Sequence, residues 1–243
     1  MNPAETQPII RDLVGMSEFH AAEDLQRDVW GPDDKIDPGD LMMVIQAEGG
    51  LAAGAFLGDR LIGYVFAFPT VTPGVQHSHR LAVRVEARGL GLGLKLKLYQ
   101  AEWCLQRGIR HVRWTYDPLR LPNAALNIAR LGATASTYHR DYYGEMGGIN
   151  AGTASDRLLV DWVLDGDRYA RCRSGEAMLT RDETALARRI ALPSDFARLI
   201  RTDPDTANAE RLRVRREMEA ALAAGFTIAG VDTQEPAYLL VRF

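Results

Sequence analysis

Apolar and polar positions along the chain follow two rhythms, and the changes between them mark the elements. Ile9, Ile10 and Leu13 open a short strand in "PIIRDLV". A period near 3.6 then runs through "MSEFHAAEDLQRDVWG", where Phe19, Leu25, Val29 and Trp30 form a stripe that Gly31-Pro32 stops. "DDKIDPGD" has the composition of a loop, and a short helix follows over Leu41 to Gln46. "LAAGAFLGD" and "RLIGYVFAF" predict two strands joined by a tight turn at Gly58-Asp59. Alternation through Leu81, Val83 and Val85 makes "SHRLAVRV" a third strand. From Gly91 to Arg107 the rhythm is helical again, with Leu92, Leu96, Tyr99 and Trp103 on one face and Gly108 past the end. "HVRWTYD" predicts a strand, "NAALNIARLG" a short helix, and "ATASTYHRDYYG" and "DRLLVDWVL" two further strands.

This order predicts an α/β chain built on a mixed sheet, not a doubly wound parallel one. After Asp165 the sequence turns polar and Arg-rich. One helix is well marked there: Asp203 caps it, Pro204 starts it, Gly225 follows it, and Val214, Met218 and Leu222 supply its apolar stripe. "FTIAGV" and "AYLLVRF" predict a terminal hairpin. The expected organisation is a first domain over 1–165 and a helix-plus-hairpin extension over 166–243, packed on the first domain or on a second subunit, as in a homodimer.

Composition excludes more than it assigns. With 47% hydrophobic residues, 25% charged residues and a net charge of −3, the chain has the profile of a globular protein and no basic excess for nucleic acid or an anionic membrane. The longest apolar run, Leu61 to Phe68, falls far short of the ~18 residues of a membrane helix, and the first residues lack the pattern of a signal peptide. Cys104 and Cys172 form no metal-binding spacing. These features predict a reduced, cytoplasmic protein without a metal.

Candidate chemistry concentrates in "LAVRVEARGLGLGLKL", residues 81–96. Glycines at 89, 91 and 93 stand between a strand and a helix. They fit neither GxGxxG nor GxxxxGK[ST], but Arg88, Gly91 and Gly93 fit [Q/R]xxGxG. The first turn of a helix carries unpaired N–H groups and the positive end of the helix dipole. Glycines let an anion approach that backbone, and Arg88 adds a charge.

This stretch resembles motif A of the GNAT superfamily, the acyl-CoA-dependent N-acyltransferases. The resemblance implies the GNAT-like acyltransferase fold, acetyl-CoA or another short acyl-CoA as cosubstrate, and coenzyme A as product. It implies that the main chain at Leu81, Ala82 and Val83 meets the pantetheine arm. Backbone amides of Arg88, Gly89, Leu90, Gly91, Leu92 and Gly93 would hold the phosphates, and Asn123 would meet the pantetheine. Two positions depart from the family pattern. Leu94 stands where a Ser or Thr is common, and Ile128 stands four residues before Gly132, where many members carry an acid Tyr.

With that acid missing, proton transfer falls to other groups. His77 and His79 lie on one face of the predicted strand, and histidine suits proton transfer near neutral pH. Tyr138, Tyr142 and Tyr143 lie on the strand where acceptor sites of the family often reach; Asp117 ends "RWTYD" and suits a turn equally well. We take Tyr142, Tyr143 and His79 as the catalytic candidates. The glycine-rich connection "YYGEMGGINAGTASDR" is long for a hairpin. Arg157 at its end suits a carboxylate, or a surface pair with Asp156 or Glu145. Arg157 and Trp30 are the candidate substrate contacts. An α-amine, with a pKa of roughly 7.7–8.0, needs less help to lose a proton than a lysine at ~10.4, which favours a small-molecule amine as acceptor. "WTYDPL", "LNIARLGA" and the glycine-rich segment resemble a GNAT branch of largely uncharacterised members, some linked to N-acylamino-acid metabolism and N-succinylation. The expected activity is transfer of an acetyl or other short acyl group, succinyl among them, to an amine such as that of an amino acid. Two alternatives stand beside it. One is a non-catalytic acyl-CoA-binding regulatory module. The other is a protein or peptide N-acetyltransferase, for which the acidic run Asp33, Asp34, Asp37 and Asp40 could line a groove.

Overall fold

Backbone closeness divides the chain within a single strand. A computed structural model describes residues 7–32, 34–144 and 153–243, and these form two compact units that meet in sequence at Val112/Arg113.

The first unit holds β1 (Ile9–Asp12), α1 (Met16–Trp30), α2 (Gly39–Ala47), β2 (Leu51–Leu57), β3 (Arg60–Pro69), β4 (Val75–Val83) and α3 (Leu92–Leu105). Its strands pair antiparallel in sequence order. β2 and β3 are buried along nearly their whole length, which explains their near-continuous apolar sequences. Phe19 and Leu25 of α1 and Met42 of α2 pack on Phe56, Tyr64 and Phe66 of the sheet. Helix α3 bonds instead to Gln76 and Ser78 of β4. Its approach to β3 needs Gly63, where a Cβ would lie 3.1 Å from the Ala82 carbonyl and 3.3 Å from Leu96 Cδ1.

β4 departs from the expectation in two ways. It begins at Val75 and ends at Val83, and Val85 belongs to a separate turn, Val85–Ala87, with its side chain exposed. Its pairing with β3 also slips. Phe66 faces Arg80 but Ala67 faces Ser78, so His79 is the extra residue of a β-bulge.

The second unit contains β5 (His111–Tyr116), α4 (Leu121–Ala124), β6 (Thr134–His139), β7 (Arg157–Val163), α5 (Asp167–Ser174), α6 (Arg181–Leu186), β8 (Arg188–Ala191), α7 (Phe196–Thr202), α8 (Pro204–Ala223), β9 (Thr227–Asp232) and β10 (Ala237–Val241). The strand order is β5-β7-β6-β9-β10-β8. Helix α4 passes into a wider turn of the π type over Ala125–Arg130, with Leu131 N bonded to Leu126 O. The predicted strand through Tyr142 and Tyr143 ends earlier. β6 stops at His139, and both tyrosines lie in the turn that follows, where Asp141 takes the left-handed conformation (φ 43°).

Residues 166–243 pack within the same unit as residues 113–165. β9 pairs with β6 at Ala135–Ile228. Arg168 bonds the carbonyls of Gly132, Met178 and Ala229. Trp162 lies edge-on to Tyr169 with centroids 5.6 Å apart. The α8 stripe is Ala207, Arg211, Val214, Met218 and Ala221, with Leu222 only half-buried. Its 4-3-4-3 spacing is helical, but a charged residue sits in the seam. Helices α5, α6 and α7 and strand β8 were not expected. α6 buries no residue and β8 buries only Ile190, so neither leaves a periodic apolar signal.

Candidate active site

The glycine loop is built as its sequence suggests. Gly91 is the N-terminal cap of α3 with φ 68°, Gly89 has φ 87°, and a Cβ at either would meet nothing within 4 Å. Positive φ at these positions favours glycine on backbone grounds alone. No side chain caps α3, and the first helical bond is Lys95 N to Gly91 O at 3.1 Å. The amides of the first turn therefore keep their donor capacity. Leu92 is buried and anchors the turn, while Arg88, Gly89, Leu90 and Gly91 are exposed. Just upstream, Leu81, Ala82 and Val83 pair with Val65, Tyr64 and Gly63 of β3. Arg84 is held by the Leu61 carbonyl at 2.9 Å and by Asp28.

On the α1–α2 side of β4 lies an aromatic and charged cluster. His77 stacks on Phe68 with centroids 5.0 Å apart, and His79 lies 5.6 Å from the same ring and 6.0 Å from Phe66. The two histidines share a face, as the strand period predicts. His79 Nε2 is 3.2 Å from Asp37 Oδ1. Arg80 places Nε 3.1 Å from Asp37 Oδ2 and a terminal nitrogen 2.8 Å from Asp34, and its guanidinium lies 4.6 Å from the Trp30 ring. Gln26 of α1 fixes the Asp37 backbone from both sides, donating to its carbonyl at 3.1 Å and accepting from its N–H at 2.8 Å. Asp34 and Asp37 are thus committed to Arg80 and His79, and Asp40 accepts from the Leu41 N–H. Asp33 lies outside the described residues.

Behind β4, toward α3, is a buried polar network that sequence reasoning missed. Lys97 donates to Ser78 Oγ at 3.0 Å and Gln100 Oε1 at 2.7 Å, and Gln100 donates to Gln76 Oε1 at 2.7 Å. The Cys104 thiol lies 3.2 Å from Gln76 Oε1. Burial pulls the Lys97 ammonium down to about 7 and pushes the Cys104 thiol up to about 12. Lys97 is 2% exposed, whereas its place on the helical wheel next to the Leu96 face gives no such warning.

The remaining candidates lie in the second unit. Tyr142 and Tyr143 are half-exposed and stack edge-on at 4.8 Å; His139 lies 4.8 Å from Tyr142. The Tyr143 hydroxyl is 3.2 Å from Thr115 Oγ1, and the Arg157 guanidinium is 5.0 Å from the Tyr143 ring. Arg157 is nearly buried and donates to the Asp156 carbonyl at 2.8 Å. The Asp156 carboxylate is engaged by other groups. That carboxylate accepts from Arg215 at 2.6 and 2.8 Å, from Tyr138 at 2.6 Å and from the Asp141 N–H at 3.0 Å. Glu145 and most of the glycine-rich connection lie outside the described residues. Tyr138 is committed by its bond to Asp156. Burial and that carboxylate push its phenol well above the usual range. Asp117 is equally occupied, gripped by both terminal nitrogens of Arg211 at 2.6 and 2.9 Å and capping the Leu119 N–H. Asn123 lies in the first turn of α4, its N–H bonded to the Arg120 carbonyl. Among the described residues no group of three or more His, Cys, Asp or Glu could hold a metal ion.

The family pattern described as Acetyltransferase (GNAT) family matches residues 18–132. The chain carries a GNAT acetyltransferase domain. Solved GNAT structures share its fold at low identity. The ribosomal-protein-S18-alanine N-acetyltransferase from Escherichia coli is 17% identical with a TM-score of 0.53, the match covering 66% of this chain and 97% of that one. Aminoglycoside 6'-acetyltransferase type Ii is 17% identical at a TM-score of 0.54, covering 65% and 98%. A phosphinothricin acetyltransferase from Sinorhizobium meliloti, solved with AcCoA, is 18% identical at 0.52, covering 64% and 88%. No protein of curated function matches the chain in sequence. The match and these shared folds support an acyl-CoA-dependent N-acyltransferase. Among the described residues no helix is long and apolar enough to cross a membrane.

Proposed function

We propose that the protein transfers an acetyl or other short acyl group from coenzyme A to the primary amine of a small molecule bearing a carboxylate, an amino acid being the simplest case. The observation that carries the cosubstrate is the uncapped N-terminus of α3 behind two positive-φ glycines, with Arg88 exposed beside it. Backbone amides of residues 88–93 would hold the diphosphate. The pantetheine would run along Leu81–Val83 and meet Asn123.

Attack by the amine forms the C–N bond, and expulsion of the thiolate breaks the C–S bond. A proton must leave nitrogen and one must reach sulfur. A thiol with an ordinary pKa near 8.5 leaves without a strong acid, so the missing tyrosine at position 128 does not block the reaction. We assign the proton on nitrogen to His79, with Tyr142 and Tyr143 as candidate donors to sulfur, Arg157 as the group that would take the acceptor carboxylate, and Trp30 as a further acceptor contact. The solved structures of similar fold name chemically diverse acceptors, so the carboxylate rests on Arg157 alone.

The test combines thiol release from acetyl- and succinyl-CoA, against a panel of amino acids of both chiralities, with calorimetric coenzyme A binding. Turnover of at least one amino acid is expected, and Arg88→Ala should weaken coenzyme A binding roughly tenfold, one charge-assisted contact. Binding without turnover on any panel amine would favour the regulatory reading; no binding would remove the cosubstrate assignment.

A further inference from the structure

We infer that Asp37 is the positioning residue of a His–Asp pair that makes His79 the proton acceptor of the acyl transfer. The inference rests on the acyltransferase reading just given and adds to it the residue that sets the state of His79.

Three features of the first unit converge on it. His79 is the extra residue of the β4 bulge and stands outside the regular pairing with β3. The Asp37 carboxylate lies 3.2 Å from His79 Nε2, and its other oxygen faces the Arg80 guanidinium at 3.1 Å. Asp37 itself does not drift, because Gln26, fully buried in α1, binds its N–H and its carbonyl, and Glu23 of the same helix accepts the Gly39 N–H at 2.6 Å. A loop that composition alone leaves floppy is thus pinned to a helix at the carboxylate that meets the imidazole. Among the described residues, the charged or titratable groups around His79 are Asp37 from this loop, Arg80 and His77 from its own strand, and Asp34, which pairs with Arg80.

The chemistry follows from the donor rule. An ionised carboxylate only accepts hydrogen bonds, so the proton of neutral His79 sits on Nε2. Nδ1 then carries the lone pair. In the transfer, the amine nitrogen bonds to the thioester carbon and passes one proton to Nδ1. The C–S bond breaks, the thiolate takes a proton from the Tyr142 or Tyr143 hydroxyl, and the imidazolium proton restores that hydroxyl through solvent, leaving amide, coenzyme A and neutral His79. Asp37 holds the ring and stabilises the transient imidazolium, and does not itself gain the proton.

A long-range 1H–15N correlation spectrum of the full chain, with His79→Gln to assign the ring, should show His79 as the Nε2–H tautomer. Asp37→Asn should shift that tautomer balance. With the acyl-CoA and amine pair found by the panel, Asp37→Asn should lower kcat on the order of tenfold or more at unchanged acyl-CoA affinity, and Asp37→Glu should recover part of it. The double variant His79→Gln/Asp37→Asn should be no slower than His79→Gln alone. An Nδ1–H tautomer in the unaltered protein overturns the inference whether or not any amine turns over. So does full activity of His79→Gln, or losses that simply multiply in the double variant. A panel without turnover but with the Nε2–H tautomer leaves the pair standing as structure and removes its catalytic role together with the acyltransfer reading.

Discussion

Lys97 shows how a single residue can carry the opposite chemistry to the one its type suggests. In the unfolded chain it keeps its proton up to roughly 10.4, whereas in the fold burial releases it above about 7. Between those limits the unfolded state binds one more proton, so stability rises with pH by at most about 1.4 kcal/mol per unit and loses this contribution as pH falls toward 7. Urea unfolding at two pH values two units apart, above 7, compared with Lys97→Met, should show the wild type gaining about 2 kcal/mol on the variant at the higher pH. An unchanging difference would mean that Lys97 is charged in the core. Gly91 is the contrary case, legible from the start. Its φ of 68° is what a glycine between a strand and a helix implies, because a helix entry at that backbone conformation strains any other residue. The pairing of His79 with Asp37 was not legible, since 42 residues separate them and no local rule links a strand histidine to a loop aspartate.

Among the elements, α8 departs most from its expected part. Its apolar stripe predicts only a packed helix. In the fold it also delivers Arg211 to Asp117 at the end of β5, and Arg215 to Asp156 at the start of β7. Thr115 stands two residues before Asp117, Arg157 directly follows Asp156, and Tyr138 bonds the Asp156 carboxylate. Arg211 is 2% exposed, so removing its partner leaves a buried guanidinium without its counter-charge. Asp117→Asn should cost about 3–5 kcal/mol in denaturant unfolding. Asp117→Asn combined with Arg211→Met should be less damaging than the sum of the two, because neither charge is then stranded. Strict additivity would show that the pair is not coupled. The strands other than β8, and α1–α3, were predictable because each keeps one apolar pattern over most of its length. α5, α6, α7 and β8 were not, because short polar elements gain their order from neighbours.

At the scale of the molecule, the solved GNAT structures cover only about two thirds of the chain, while nearly all of each of them is matched. We propose that the remaining third completes the second unit. Trp162 meets Tyr169, and β6 meets β9, only if residues 166–243 are present. Truncation after Asp165 should expose that strand edge and give aggregated protein on size-exclusion chromatography. A soluble, monodisperse 1–165 fragment would show instead that the extension is dispensable for folding. The expected boundary at 165/166 follows a change of composition, whereas the packing divides at Val112/Arg113, because closeness of the backbone is not encoded in composition.

From the sequence alone came the order of elements through β7, the helix α8 with its terminal hairpin, the GNAT resemblance and the glycine turn at residues 88–93. All of them rest on local quantities: period, cap and glycine placement. Tertiary structure alone decided the bulge at His79 and its meeting with Asp37, the burial of Lys97 behind β4 that lowers its pKa, and the arginines of α8 on two distant aspartates. Each depends on which groups share a low-dielectric neighbourhood, and that is set by long-range packing and not by neighbours in the chain.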